Sequence, residues 1–256
     1  MKFALIDNQK IEAKKGLKGL CPICQQPVIA KCGIYKINHW AHKSHAHCDK
    51  WWENETEWHR QWKNLFPIKW QEIISIDENT SEKHIADIKT NDNMVVEFQH
   101  SNISEKERIS REEFYKDMIW IVDGTRRKLD FAHFAEAFEY KDIWGVNQNN
   151  SLYVLENYSS HLPKEWRNST VPVLFDFKGL LNKNTNGYDN NSLREPLWCL
   201  LPIRGENINV LFKMNRSKLI ETIRDGGFTF DYQAIINDIN KALQYRNLRR
   251  RFGYYY

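Results

Sequence analysis

Residues 52–123 run helix, three strand patterns in succession, helix, strand, and that order restricts the fold more than any other feature of the chain. Residues 52–65 contain neither proline nor glycine. Trp58, Trp62 and Leu65 recur there at helical spacing, and Pro67 follows as a stop. Residues 68–76, 84–88 and 94–100 read as strands, the last two joined by the polar turn 89–93. The charged segment 104–118 reads as a helix, and residues 119–123 as a buried strand ending at Gly124. The order predicts an α/β domain, with a mixed central sheet flanked by helices.

The flanks differ in composition. Residues 1–50 begin with a strand pattern and hold four of the five cysteines and four of the nine histidines. Cys21-Pro22-Ile23-Cys24 is followed, after fourteen residues, by His39-Trp40-Ala41-His42. Thiolate and imidazole together suit tetrahedral zinc, so Cys21, Cys24, His39 and His42 are the expected ligands. The gap between the histidines is shorter than in common zinc fingers. Cys32, His45, His47 and Cys48 are further candidates, and Cys48 can replace a histidine. A redox role for the cysteine pair lacks the surrounding strand and helix that such motifs use. A closed site would anchor a segment too small for a core of its own. The expected organisation is therefore a zinc-binding module at 1–50, an α/β domain at 51–181 and a C-terminal α/β extension at 193–256. That extension opens with a strand at 197–201 stopped by Pro202. It closes with a helix over about 231–250, carrying Ile235, Ile236, Ile239 and Leu243 on one face, and a basic tail.

No apolar run approaches the roughly 20 residues of a membrane span. The first residues lack a signal-peptide stretch, so a cytoplasmic protein without a membrane partner is expected. The formal net charge is +4, with compact clusters at Arg126-Arg127-Lys128 and Arg249-Arg250-Arg251. Such a balance permits a nucleic-acid partner without demanding one.

Chemistry concentrates in the central strands. Alternation puts Glu97 and Gln99 on one face and Val96 and Phe98 on the other. Asp87, near the end of the preceding strand, can lie beside Glu97. Two carboxylates leave a magnesium or manganese ion room for water and a phosphate oxygen. The competing view is a pair of solvent-facing charges on an amphipathic hairpin, against which stands the apolar enclosure of Glu97 by Val95, Val96 and Phe98.

Asp87, nine intervening residues and Glu97-Phe98-Gln99 resemble the PD-(D/E)XK nuclease signature, with glutamine where lysine is usual. The wider set resembles the CoiA-like competence protein family more closely. It comprises Cys21-Pro22-Ile23-Cys24, His39-Trp40-Ala41-His42, Glu55-Thr56 with His59 and Lys63, Ala86-Asp87-Ile88, Glu97-Phe98-Gln99-His100-Ser101, Arg111 with Tyr115, and Ile119-Trp120-Ile121-Val122. The resemblance covers residues 1–125. It implies a restriction-endonuclease-like core and a magnesium- or manganese-dependent nuclease acting on DNA, of the kind linked to DNA uptake, mobile elements or defence, with protein partners in such complexes. Asp87 and Glu97 would hold the metal, and Gln99 would orient a water or phosphate oxygen. Glu55 would reach the metal through water, and His59 or Lys63 would contact the scissile phosphate. Arg108, Arg111 and Tyr115 would grip the nucleic-acid backbone. The glutamine keeps one alternative open: a non-catalytic nucleic-acid-binding or assembly protein on a vestigial nuclease fold.

Overall fold

Short alternating segments build the first sheet. Strands β1 (Phe3–Ile6) and β2 (Gln9–Glu12) form a hairpin whose two turn residues, Asp7 and Asn8, both take positive φ, 49° and 61°. Paired positive φ values match the twist of the strands, and Asp and Asn tolerate them. Strands β3 (Lys18–Leu20), β4 (Pro27–Lys31) and β5 (His39–His42) complete an antiparallel sheet in the order β2-β1-β3-β4-β5. Ala4, Ala13, Cys21, Val28 and Trp40 form its core.

The structure is a computed structural model that describes the chain except for residues 44–47, 52–54, 79, 148, 150, 157–159, 181–191, 206–207 and 252–256 and the side chains of residues 249–251. His45 and His47, two of the further zinc candidates, lie outside the described residues.

Helix α1 (Glu57–Asn64) starts later than its apolar spacing predicts, because Thr56 caps it: the Thr56 hydroxyl accepts from the His59 amide. His59 closes a capping box by accepting from the Thr56 amide (3.2 Å). A short 3-10 turn (Ile68–Trp70) replaces the first third of the expected strand, leaving β6 as Gln71–Ile76. Strands β7 (Lys83–Lys89) and β8 (Val95–Gln99) continue antiparallel from it. Helix α2 (Glu105–Tyr115), capped by Ser104, then crosses over to β9 (Met118–Asp123), parallel to β8. All five residues of β8 and all six of β9 are buried, as a strand covered on both faces requires. The order β9-β8-β7-β6 is a mixed sheet, packed by Trp58 and Trp62 of α1 against Phe98.

By its contacts the chain divides into two compact units. The first rests on Met1–Asp123, so residues 1–50 and the central strands belong to one body; the division falls inside the 51–181 segment. The second is built from Gly124–Lys178 and the described residues after 191. It holds α3 (Lys128–Glu139), β10 (Ile143–Gly145), β11 (Leu152–Glu156), β12 (Val173–Asp176), β13 (Leu197–Gly205), β14 (Ile208–Met214), α4 (Arg216–Arg224) and α5 (Tyr232–Arg251). Its strands lie in the antiparallel order β10-β11-β14-β13-β12. Pro202 does not stop β13. The pairing register shifts between Leu201 and Arg204, and this irregularity absorbs a residue with no amide to donate. No helix among the described residues is long and apolar enough to cross a membrane.

Candidate active site and metal centre

Asp87 and Glu97 meet where the β7–β8 ladder gives way to side chains. The Asp87 amide donates to Glu97 Oε1 (3.1 Å), and the Phe98 amide donates to Asp87 Oδ2 (3.0 Å). Each carboxylate is thus pinned by the backbone of the other strand. The remaining oxygens face cations: Asp87 Oδ1 lies 2.8 Å from Lys63 Nζ, and Glu97 Oε2 accepts from Arg111 Nη1 at 3.2 Å. Burial, reinforced by the charge of Asp87, raises the Glu97 carboxyl to about 8. Two acids this close, one of them strained in its ionised form, suit a divalent cation held by carboxylate oxygen.

Lys63 carries more than one partner. Its ammonium also lies 3.2 Å from Glu72 and 3.6 Å from Glu55. Burial works against its charge, yet Asp87, Glu55 and Glu72 hold its pKa well above the usual lysine value. Lys63 therefore keeps its proton and acts as a fixed charge, not a base. Glu55 precedes the Thr56 cap and accepts from Arg60 (3.0 and 2.8 Å). Burial alone would raise its pKa, but Lys63 and Arg60 pull it down to about 2.

Glu72 is the residue that sequence reasoning missed. It sits at the start of β6 with a positive φ of 48°. Its carboxylate accepts the amides of Lys2 (2.7 Å) and Phe3 (3.0 Å), while its own carbonyl accepts from Lys10 Nζ. The left-handed backbone turns a residue out of strand alternation, so period-two reading cannot find it. The only available signal was a polar pair, Gln71-Glu72, opening an otherwise apolar strand.

A cavity of about 80 Å³ joins these groups, lined by Glu55, Lys63, Glu72, Asp87, Glu97 and Arg111 and also by His42, Cys48, Asp49 and Trp51. His59 reaches this wall as well, with Nε2 2.9 Å from the Phe98 carbonyl and Nδ1 on Thr56. Gln99 shares the Glu97 face of β8 but does not line the cavity; its amide donates to the Ser101 carbonyl (3.2 Å) and hydroxyl (3.3 Å).

Arg108 and Tyr115 correct an expectation. The Arg108 guanidinium is fully buried and donates to Glu112 at 2.7 Å, because its helix face turns inward. The Tyr115 hydroxyl is likewise buried, and its ring packs on Phe114 (4.9 Å) and Trp51 (6.0 Å). Neither presents a donor to a nucleic acid at the surface. Arg111 points inward too, to Glu97, Glu107 and the Trp51 carbonyl.

The second centre adjoins the same cavity. Ligand atoms of Cys21, Cys24, His42 and Cys48 all lie within 4.8 Å of one another. Cys21 Sγ is 3.5 Å from Cys48 Sγ, and His42 Nε2 is 3.3 Å from Cys24 and 3.7 Å from Cys48. Bonds of about 2.3 Å to sulfur and 2.0 Å to nitrogen place tetrahedral ligands roughly 3.5–3.8 Å apart, so the set fits zinc. Burial pushes the Cys21 and Cys48 thiols up, a penalty that a bound dication offsets by stabilising thiolate. His39 is not a member, and Cys48 stands in its place. On β5, residues three apart face opposite sides, so His39 and His42 cannot serve one centre; His39 Nδ1 instead lies 2.9 Å from the Ile37 carbonyl.

Two family models match this chain: the N-terminal domain of competence protein CoiA over residues 4–50, and the nuclease-like domain of competence protein CoiA over residues 79–167. Together they cover more than half of it. The chain belongs to the CoiA-like competence protein family. The first match contains the three cysteines and the histidine, and the second contains Asp87, Glu97, Gln99 and Arg111. Lys63 and Glu72 fall between the two family segments. No curated protein and no solved structure matches the chain.

Proposed function

We propose that the chain is a magnesium- or manganese-dependent nuclease that hydrolyses DNA phosphodiester bonds, on a core of the PD-(D/E)XK kind. One observation carries the reading: Asp87 and Glu97, crossed over each other's backbone in a buried cavity, lie in the segment matched by the nuclease-like family domain. A carboxylate pair at the bottom of a cavity serves no purpose in simple polyanion binding, where it would repel the ligand.

In this reading Asp87 and Glu97 would hold one divalent cation, which when bound would acidify a coordinated water and offset negative charge on the phosphate. Glu97 would hold the cation as the carboxylate, and Arg111, 3.2 Å from Glu97 Oε2, keeps that group in place. Lys63 faces Asp87 and supplies the positive charge that Gln99 cannot. It would offset negative charge on the phosphate oxygens as a fixed cation that keeps its own proton. His59 fixes the start of α1 and hence the position of Lys63. The three cysteines and His42 hold a structural zinc.

The test is cleavage of single-stranded and duplex DNA by the purified protein, with magnesium, manganese or chelator, beside Asp87→Asn. Metal-dependent cleavage lost in the variant supports the reading. Cleavage that persists in Asp87→Asn, or none with any divalent ion, rejects it.

A further inference from the structure

The carboxylate of Asp49 spans the distance between the two centres. Asp49 follows the ligand Cys48 directly in sequence. Its Oδ1 accepts from the Trp51 amide (2.9 Å) and from His84 Nδ1 (2.8 Å), and its Oδ2 accepts from the Ile85 amide (3.0 Å). One buried carboxylate thus clamps the segment leaving the metal ligands onto β7, two residues before Asp87.

Trp51 extends the connection to the other acid. Its ring stacks on His84, with centroids 3.3 Å apart and planes at 15°. Its carbonyl accepts from Arg111 Nη2 (2.8 Å), and Arg111 Nη1 donates to Glu97 (3.2 Å). Two short routes therefore leave Asp49: through Ile85 to Asp87, and through Trp51 and Arg111 to Glu97. His42 and Cys48 line the same cavity as the two acids, so the connection crosses no intervening layer.

We infer that Asp49 is a positioning residue that makes the divalent-cation affinity of the Asp87–Glu97 pair depend on metal loading at the three-cysteine, one-histidine centre; this rests on reading that pair as a cation site. Zinc fixes Cys48, and fixing Cys48 removes backbone freedom from the next residue. Asp49 is then delivered to Ile85, His84 and Trp51 without an ordering penalty. When zinc leaves, the clamp must order its own segment, and the acids lose the geometry a small divalent ion demands. The coupling is reciprocal, so manganese at the acids tightens zinc at the cysteines.

The experiment titrates full-length protein with manganese and reads free manganese by electron paramagnetic resonance, which needs no cleavage. Asp49→Asn keeps one acceptor but turns an amide donor toward the Ile85 amide. It is expected to retain its zinc and its far-ultraviolet circular dichroism, yet to bind manganese about tenfold more weakly. Zinc depletion of the wild type is expected to weaken manganese binding by a similar factor, and depletion of Asp49→Asn to weaken it no further. If Asp49→Asn itself sheds zinc, His84→Ala carries the test, since it removes the Trp51 stack and one Asp49 partner from the β7 side. Wild-type manganese affinity in the zinc-retaining variant overturns the inference. Wild-type affinity in Asp87→Asn overturns the reading of the acidic pair itself, a separate result from the first.

Discussion

Asp87 accepts the amide of Phe98 while its own amide donates to Glu97, so the backbone holds the two acids together against the repulsion of their like charges. Position and repulsion are built together. Replacing either acid by its amide keeps the shape and most hydrogen bonds but removes a carboxylate able to hold a cation. Asp87→Asn and Glu97→Gln are each expected to lower cleavage about a thousandfold or more, with a melting temperature within a few degrees of wild type. Steady cleavage assays and thermal melts on both variants check this.

Glu97 also sets a pH dependence. Its folded pKa of about 8 lies above the unfolded carboxylate value, so below pH ~4.5 the protonated acid's stabilising contribution is fully present. That contribution is lost as pH rises toward about 8 in metal-free protein. Cation binding requires the ionised form, so manganese affinity should climb over the same window and level off above it. In Asp87→Asn the like charge is gone, and the midpoint of the stability loss should move to lower pH. Urea melts from pH 5 to pH 9 without metal, for wild type and variant, provide the measurement.

Strand parity gives a sharp expectation for the three-cysteine, one-histidine centre. His39→Ala should retain one zinc per chain, whereas Cys48→Ser should lose it together with solubility or thermal stability. Elemental analysis of the two proteins, purified without chelator, separates this ligand set from one that uses His39.

Lys63 and Gln99 should differ in kind. Lys63→Met strips the shared cation from Asp87, Glu72 and Glu55, and is expected to cost about 3–5 kcal/mol of stability as well as activity. Gln99→Leu frees Ser101 but leaves the cavity wall untouched, so its effect should stay below the roughly 100-fold expected of a group acting on the reacting water. A larger loss for Gln99→Leu in single-turnover cleavage would return Gln99 to the reacting centre.

What was legible in the sequence was whatever obeyed a period. Helix spacing placed Trp58 and Trp62, and alternation put Glu97 opposite Phe98 on a strand that proved wholly buried. The same rule, applied to His39-Trp40-Ala41-His42, would have excluded one histidine once the segment was known to be a strand. Glu72 escaped because its role depends on a left-handed backbone and on amides about seventy residues away. Arg108 reads in the sequence as a grip on a nucleic-acid backbone because nothing in a charged helix tells which face meets the sheet. Pro202 looked like a stop because a register shift leaves no local mark.

The contact between Glu72 and the amides of Lys2 and Phe3 bears on how such chains can be cut and recombined. The family's two segments are separable as stretches of sequence, yet Lys63 and Glu72 belong to neither, and Glu72 is held by Lys2 and Phe3, just ahead of the first. A fragment spanning 79–167 alone would keep Glu97 with Arg111 but would carry Asp87 without Lys63 and without the Glu72 beneath it. Swapping the amino-terminal module between relatives would succeed only where the incoming strand offers two amides to a glutamate it has never met. Modularity on paper is, in this molecule, mutual dependence.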